Sequence, residues 1–276
     1  MPRSSLKPIL TQYAETHRVI LGVNADNPEM LWGFAQAIKM HALPLFVQVT
    51  PETLETWGQH VMTAVMTEVL DPLPTPVAWH LDHATQPDDI AWALEQGFTS
   101  VMYDGSALPL EDNIRNTQKV VEWASVRGAL VEAEIGHVHK PGEPPEWAQL
   151  TTPEEARIFA EATHVDALAV AIGNHHATRV SQSQVDIERL AAIHALCPVP
   201  LVLHGASGID PALYTRLRMS GIAKMNFGTE FRTIWWQVVH DMPEGKPRSV
   251  QAEISRRIAE AIRHKWDQLS YCRPSS

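Results

Sequence analysis

Histidine and aspartate side chains follow a short apolar run in the first third of this sequence. The run 76–79 is followed by His80, Asp82 and His83. In a β-strand, His80 and Asp82 would share one face, and His83 is predicted just beyond the strand end. An aspartate there could carry a proton, and an imidazole could bind a metal ion. A polar strand end with a capping aspartate would give the same pattern, so this segment alone leaves both interpretations open.

Three histidines, His83, His176 and His204, follow three different apolar runs. If these runs are parallel strands, the imidazoles converge at one edge and leave one coordination position open. That arrangement is typical of catalytic Zn²⁺, a Lewis acid that polarises a carbonyl. A single histidine at a strand end is more often a hydrogen-bonded structural residue, but three at matched positions favour a metal site. Periodicity alone does not choose between His175 and His176.

Carboxylates accompany these histidines. Glu132 and Glu134 lie two positions apart, hence on one face of a strand, and Asp104 follows another apolar run. Buried beneath the histidines, they would bind a second or displaced cation or would orient the metal ligands. A monovalent cation is a further candidate cofactor beside Zn²⁺. Asp82 is a candidate general acid/base, and its alternative role is to orient a ligand histidine.

Small and hydroxyl-bearing residues follow the last two apolar runs. They are Gly205, Ser207, Asn226, Gly228 and Thr229. Such residues let backbone N–H groups approach an anion, although ordinary helix N-caps favour the same residue types. Their position in the last two strand–helix loops favours a phosphate site. Polar residues also end the first two runs, at Asn24 and Thr50.

Apolar runs and helical periodicity alternate along the chain. Strands are predicted at 19–23, 45–49, 77–81, 100–103, 129–134, 167–172, 201–203 and 222–225. Eight strand–helix units favour a (β/α)8 TIM barrel with additional C-terminal helices over a doubly wound sheet. No glycine-rich dinucleotide fingerprint follows the first strand, and no internal linker is evident. We therefore predict one domain spanning residues 1–276.

Composition narrows the functional class. The net charge of -10 disfavours nucleic acid as a partner. Cys197 and Cys272 form no metal-ligand spacing and no disulfide framework. No apolar run reaches membrane-spanning length, and residues 1–18 lack a signal-peptide core. We therefore predict a soluble cytoplasmic protein that does not bind membranes.

The loop 137–149 is long for a strand–helix connection and rich in proline. It could be a lid that brings a second carboxylate, Glu143 or Glu146, to the site on closure. An inert solvated loop is the alternative interpretation.

Taken together, several segments resemble the class II (zinc-dependent) fructose-bisphosphate aldolases, and most closely their tagatose-bisphosphate branch. The resemblance runs from about Asn24 to the C-terminal helices. The segments are HLDH (80–83), SVMYDGS (100–106), VEAEIG (131–136), LAVAIG (168–173), LVLHGAS (201–207) and KMN (224–226).

This resemblance implies zinc-dependent retro-aldol cleavage of a phosphorylated ketose to dihydroxyacetone phosphate and an aldehyde. It makes His83, His176 and His204 the zinc ligands and Asp82 the acid/base. Asn226 would steady the enediolate. Gly205, Ser207 and Thr229 would hold the phosphate, and Glu134 and Asp104 would offer an alternative metal position. The resemblance also implies a homodimer or homotetramer.

Three features depart from the family pattern. Ala177 replaces the glycine expected after the second zinc histidine, where a Cβ would crowd the phosphate. The lysine expected shortly afterwards is missing, and Arg179 is the nearest cation. The Gly-Gly-x-Glu-Asp lid is not recognisable in 141–146. The chemistry is expected to be retained, with a substrate that differs from the usual one.

Three rival functions stay open. A sugar or sugar-acid epimerase or isomerase would use the same barrel and metal, and only an aldolase would yield two fragments. A metal-dependent hydrolase is disfavoured because no His-x-His occurs in 19–24. A non-catalytic accessory barrel would bind zinc without turnover.

Overall fold

The computed structural model describes residues 3–138, 149–175 and 185–270. Eight parallel strands pair in chain order and close into a barrel, with β1 beside β8. The strands are β1 (Ile20–Asn24), β2 (Leu45–Val49), β3 (Val77–Ala84), β4 (Ser100–Tyr103), β5 (Leu130–Ile135), β6 (Ala167–Val170), β7 (Leu201–Leu203) and β8 (Ile222–Phe227). The predicted (β/α)8 barrel is confirmed.

Helices surround the barrel. They are α1 (Lys7–Glu15), α2 (Pro28–His41), α3 (Pro51–Trp57), α4 (Gln59–Leu70), α5 (Pro87–Glu95), α6 (Leu110–Ser125), α7 (Pro153–Thr163), α8 (Ile187–Leu196), α9 (Tyr214–Met219), α10 (Thr229–Asp241) and α11 (Pro247–Ser270). Several begin with proline at the first helical position, where the missing N–H has no partner to lose. Among the described residues, no helix is both long and apolar enough to cross a bilayer.

Local differences from the predicted elements have physical causes. Strand β3 continues through His83 to Ala84, so His83 lies inside the strand and not beyond it, which corrects the prediction. Its register against β4 shifts between Leu81 and Ala84. The helical region after Pro51 breaks at Gly58, whose φ of 82° lies in the left-handed region. After α10, the predicted additional C-terminal helices are a single continuous helix of 24 residues, α11.

The inside of the barrel is apolar in its lower part, toward the N-terminal ends of the strands, and polar in its upper part, toward their C-terminal ends. Its lower part packs against α1, through Leu6, Leu10, Ile20, Phe46, Ala78, Leu130 and Val202. Two positions further along their strands, Gln48, His80, Glu132 and His204 are buried instead. Because alternate residues of a strand face the same side, these polar groups occupy the next layer toward the strands' C-terminal ends.

Candidate active site

A cavity of about 540 Å³ opens at the C-terminal ends of the strands. Many of the predicted site residues line it: Asn24, Thr50, Asp82, His83, His204, Gly205, Ser207, Asn226, Gly228 and Thr229. Asp104 and Glu134 do not line it, but both contact His83. Glu143, Glu146, His176, Ala177 and Arg179 lie outside the described residues. The functional roles of all these residues stay predictions.

His83 is held in an unusual backbone conformation. Its φ is 54°, in the left-handed region that non-glycine residues rarely occupy. The register shift in β3 occurs at the same place. On the ring, Nδ1 lies 3.0 Å from Asp104 Oδ2, and Asp104 is itself held by the Ser106 hydroxyl at 2.6 Å. Backbone strain and this carboxylate together fix the direction of the imidazole.

His204 is fixed in the same manner from the opposite side of the barrel. Its Nε2 lies 2.8 Å from Glu132 Oε1, and the Nζ of Lys224 binds the other Glu132 oxygen at 2.7 Å. The amide of Asn174 donates to the His204 backbone carbonyl at 2.9 Å. The next residue, Gly205, has a φ of 66°, which turns the chain away directly after the histidine.

The remaining ring nitrogens of these two histidines face each other. His83 Nε2 lies 2.9 Å from His204 Nδ1. Because carboxylates accept, the other nitrogen of each ring carries the hydrogen, and two lone pairs of neutral rings would meet here. Either a proton or a cation must lie between them. Two nitrogens bound to one tetrahedral zinc ion lie roughly 3.3 Å apart, so this donor set fits Zn²⁺ to within a few tenths of an ångström.

The local field also favours positive charge at this point. Although burial opposes it, the charge of Asp82, the hydrogen bond that His83 donates to Asp104 and the charge of Glu134 raise the pKa of His83 to about 9. Burial likewise opposes ionisation of Glu132, yet Lys224 and the His204 hydrogen bond lower the pKa of that carboxyl to about 2. The negative charge of these carboxylates would therefore also stabilise a divalent cation bound by the two imidazoles.

Asp82 lies at the edge of this centre. One of its oxygens, Oδ2, accepts a hydrogen bond from the Asn24 amide at 2.6 Å and lies 4.0 Å from His83 Nε2. Gln48 donates to Asn24 at 3.2 Å, which fixes that amide. Burial would raise the pKa of Asp82, but His83, His80 and His204 hold it well below its usual value. Asp82 is therefore an ionised carboxylate, which is the protonation state that a general base needs.

A second group of candidate metal ligands lies behind His83. Oxygen atoms of Asp104 and Glu134 and a nitrogen of His83 all lie within 4.8 Å of one another. This is the position that the resemblance assigns to a displaced or second cation. Of the other histidines near the rim, His137 lies 3.4 Å from the Ser106 hydroxyl and His175 is exposed.

Comparison with known proteins shows the family to which this chain belongs. The family model described as fructose-bisphosphate aldolase class-II matches residues 4–272. The chain is 32% identical over 277 residues to a fructose-bisphosphate aldolase of Thermus caldophilus, covering 88% of this chain and 90% of that relative. This chain belongs to the class II fructose-bisphosphate aldolase family.

Solved structures agree with this assignment. The YdjI aldolase from Escherichia coli K12 is 29% identical, with a TM-score of 0.87 and 97% of both chains covered. A putative fructose-1,6-biphosphate aldolase from Coccidioides immitis is 26% identical, with a TM-score of 0.84 over 95% of this chain and 94% of the other. The chain is therefore an aldolase, a carbon–carbon lyase. The tagatose-bisphosphate branch stays a prediction.

Some residues of this aldolase site gave no separate signal in the sequence. Lys224 and Gln48 were assigned no role, although Lys224 lies two positions before Asn226 and Gln48 two before Thr50. That spacing puts them on the inner face of their strands and could have revealed them. Gly22 belongs with them, because a Cβ there would lie 2.1 Å from Gln48 Oε1 and 2.4 Å from Asn226 Oδ1. Only glycine lets both amides occupy the barrel.

The loops after β7 and β8 contact each other. The Ser207 hydroxyl accepts a hydrogen bond from the Glu230 backbone N–H at 3.2 Å, across the two loops. The N-cap of α10, Gly228, supplies no side-chain cap. Gly228 and Thr229, at the start of α10, line the cavity, and the N-terminus of a helix is a favourable place for an anion.

Proposed function

We propose that this aldolase carries out zinc-dependent cleavage of a phosphorylated ketose to dihydroxyacetone phosphate and an aldehyde, and the reverse condensation. The observation that carries the proposal is the approach of His83 Nε2 to His204 Nδ1 at 2.9 Å, with the far nitrogen of each ring on a carboxylate. Carboxylate–histidine pairs of this kind orient metal ligands and set their tautomers.

His83 and His204 would hold the zinc ion, with His176 as the third ligand. When bound, zinc supplies a Lewis acid that polarises the ketone carbonyl and stabilises negative charge on the ketone half. Asp104 and Glu132 each accept a hydrogen bond from the far nitrogen of one ring and so orient the two described ligands. The open position that three histidines leave is the one a substrate needs.

Asp82 would move the proton. It takes the proton from the hydroxyl on the aldehyde side of the bond to be cleaved. As that oxygen forms the aldehyde C=O, the carbon–carbon bond breaks, and its electron pair stays on the ketone half as an enediolate. Asn24 holds Asp82 in place at 2.6 Å. In the condensation direction Asp82 returns the same proton.

The other predicted roles complete the reaction. Asn226 would hydrogen-bond to the enediolate, and Glu143, or Glu146 in its place, would supply a second carboxyl group from the loop 137–149. Gly205, Ser207, Gly228 and Thr229 would bind the phosphate of the ketone half through backbone N–H and hydroxyl groups. The proposed assembly is a homodimer or homotetramer.

The test is a coupled assay of dihydroxyacetone phosphate release from a panel of ketose mono- and bisphosphates. Release that stops with a chelator and returns on addition of Zn²⁺ supports the proposal. Detection of the aldehyde as a second fragment separates cleavage from epimerisation or isomerisation. A fully zinc-loaded protein that releases no dihydroxyacetone phosphate from any member of the panel contradicts it.

A further inference from the structure

One side of the cavity carries an ion pair that the proposed chemistry does not use. We define the outer wall as Asp26, Glu52 and Arg232, which all line the cavity. Arg232 binds both carboxylate oxygens of Asp26, with Nε 2.5 Å from one and a terminal nitrogen 3.2 Å from the other. The indole N–H of Trp57 donates to the Asp26 carbonyl at 2.9 Å. The loop after β1 is thus braced by both α3 and α10.

The charges of the outer wall do not suit an anion. Arg232 is the one permanently cationic side chain among the described residues that line the cavity, and Asp26 neutralises it. The hydrogen bond that Arg232 donates to Asp26 and the nearby charge of Glu52 both raise the pKa of Arg232, although burial opposes them. Glu52 therefore lies within electrostatic reach of the pair. The three formal charges sum to a single negative charge.

Hydroxyl groups fill the same side of the cavity. Thr50, Thr53 and Thr56 line it beside Glu52. The Thr50 and Thr53 hydroxyls lie 3.2 Å apart. Hydroxyls and carboxylates suit the hydroxyl groups of a sugar, which both donate and accept hydrogen bonds. The proposed phosphate site, in the loops after β7 and β8, adjoins this wall at Thr229, three positions before Arg232 on α10, and relies on backbone N–H groups and hydroxyls.

We infer that the outer wall receives the aldehyde half of the substrate and selects an uncharged, hydroxylated chain, so that the preferred ketose carries phosphate on its ketone half alone. A second phosphate would place roughly two negative charges against a wall that already carries one. Repulsion between these like charges would weaken binding of the bisphosphate. This inference rests on the proposed function and names its substrate class.

The experiment compares kcat/KM for a ketose 1-phosphate with that for its 1,6-bisphosphate, in the fructo and tagato configurations. We expect the zinc-loaded protein to prefer the monophosphate by at least about tenfold in the configuration that it cleaves. Glu52→Gln removes the charge of an exposed side chain. We expect it to shift the ratio toward the bisphosphate by about tenfold, mostly through a lower KM for the bisphosphate. The reason is that one negative charge facing the second phosphate has been removed.

Two further variants sharpen the test. Asp26→Asn releases Arg232 for an anion, and we expect a larger shift of the same sign. Glu55→Gln removes one charge from the same helix as Glu52 but outside the cavity, and the ratio should not change. The inference is overturned if the unmodified protein prefers the bisphosphate, or if neither Glu52→Gln nor Asp26→Asn changes the ratio. In those cases cleavage itself still stands. Absence of any chelator-sensitive cleavage defeats the proposed function, and this inference with it.

Discussion

The floor and the outer wall of the cavity are built by different means. The floor consists of Asp82, His83 and His204 with the Glu132–Lys224 pair beneath them, all on strands or directly after them. Both side chains of that pair are fully buried, whereas Asp26 and Arg232 are 36% and 43% exposed. A buried ionic group must be matched closely by its neighbours, while a half-exposed one is partly compensated by water. Substitutions in the floor should therefore have larger effects than substitutions in the outer wall.

The largest expected effect is at His204. His204→Ala removes one of the two nitrogens that face each other at 2.9 Å. We expect zinc content and cleavage to be lost together, because too few ligands remain to hold the ion. Metal analysis of the purified protein alongside the coupled assay measures both. His60→Ala, at an exposed position on α4, is the control. Full zinc occupancy in the His204 variant would count against its role as a ligand.

Lys224→Met should strongly destabilise the fold. It leaves the Glu132 carboxylate buried without its cation, which costs about 3–5 kcal/mol when one partner of a buried ion pair is removed. Urea denaturation measures the loss. The double variant Glu132→Gln, Lys224→Met should regain most of the stability, because no unpaired charge remains. A double variant as unstable as the single one would show that packing of the lysine, and not its charge, is what matters.

Asp82→Ala separates catalysis from metal binding. We expect zinc to stay bound and kcat for cleavage to fall by roughly 10²-fold or more, since a positioned acid/base contributes that much. Asp88→Ala, at an exposed position on α5, is the matched control. Turnover equal to that of the unmodified protein would remove Asp82 from the mechanism.

The smallest expected effect on stability belongs to the outer wall. Arg232→Met breaks the ion pair with Asp26, and at this exposure we expect a loss of at most about 1 kcal/mol in the free energy of unfolding. Urea denaturation measures it on the same scale as Lys224→Met. A loss as large as that of Lys224→Met would mean that water does not compensate the half-exposed ion pair of the outer wall any better than the buried pair of the floor.

The sequence predicts the parts of this molecule that depend on local pattern. Alternation of apolar strands and amphipathic helices is enough for the barrel, and the residues after each strand are enough to locate the cavity rim. It does not predict pairings that form only on closure. Asp26 and Arg232 lie 206 positions apart and meet because β1 pairs with β8. Nor does the sequence predict the left-handed backbone of His83, because a positive φ at a histidine within a strand has no local sequence signature.

The Glu132–Lys224 pair has a consequence for how the chain assembles. Glu132 is on β5, but its cation arrives on β8, the last strand to leave the ribosome. Until β8 docks, a partly formed barrel would have to enclose a carboxylate with no counter-charge, which is unfavourable. Docking of β8 brings the cation that matches the Glu132 carboxylate, so the electrostatics of the floor depend on closure of the barrel.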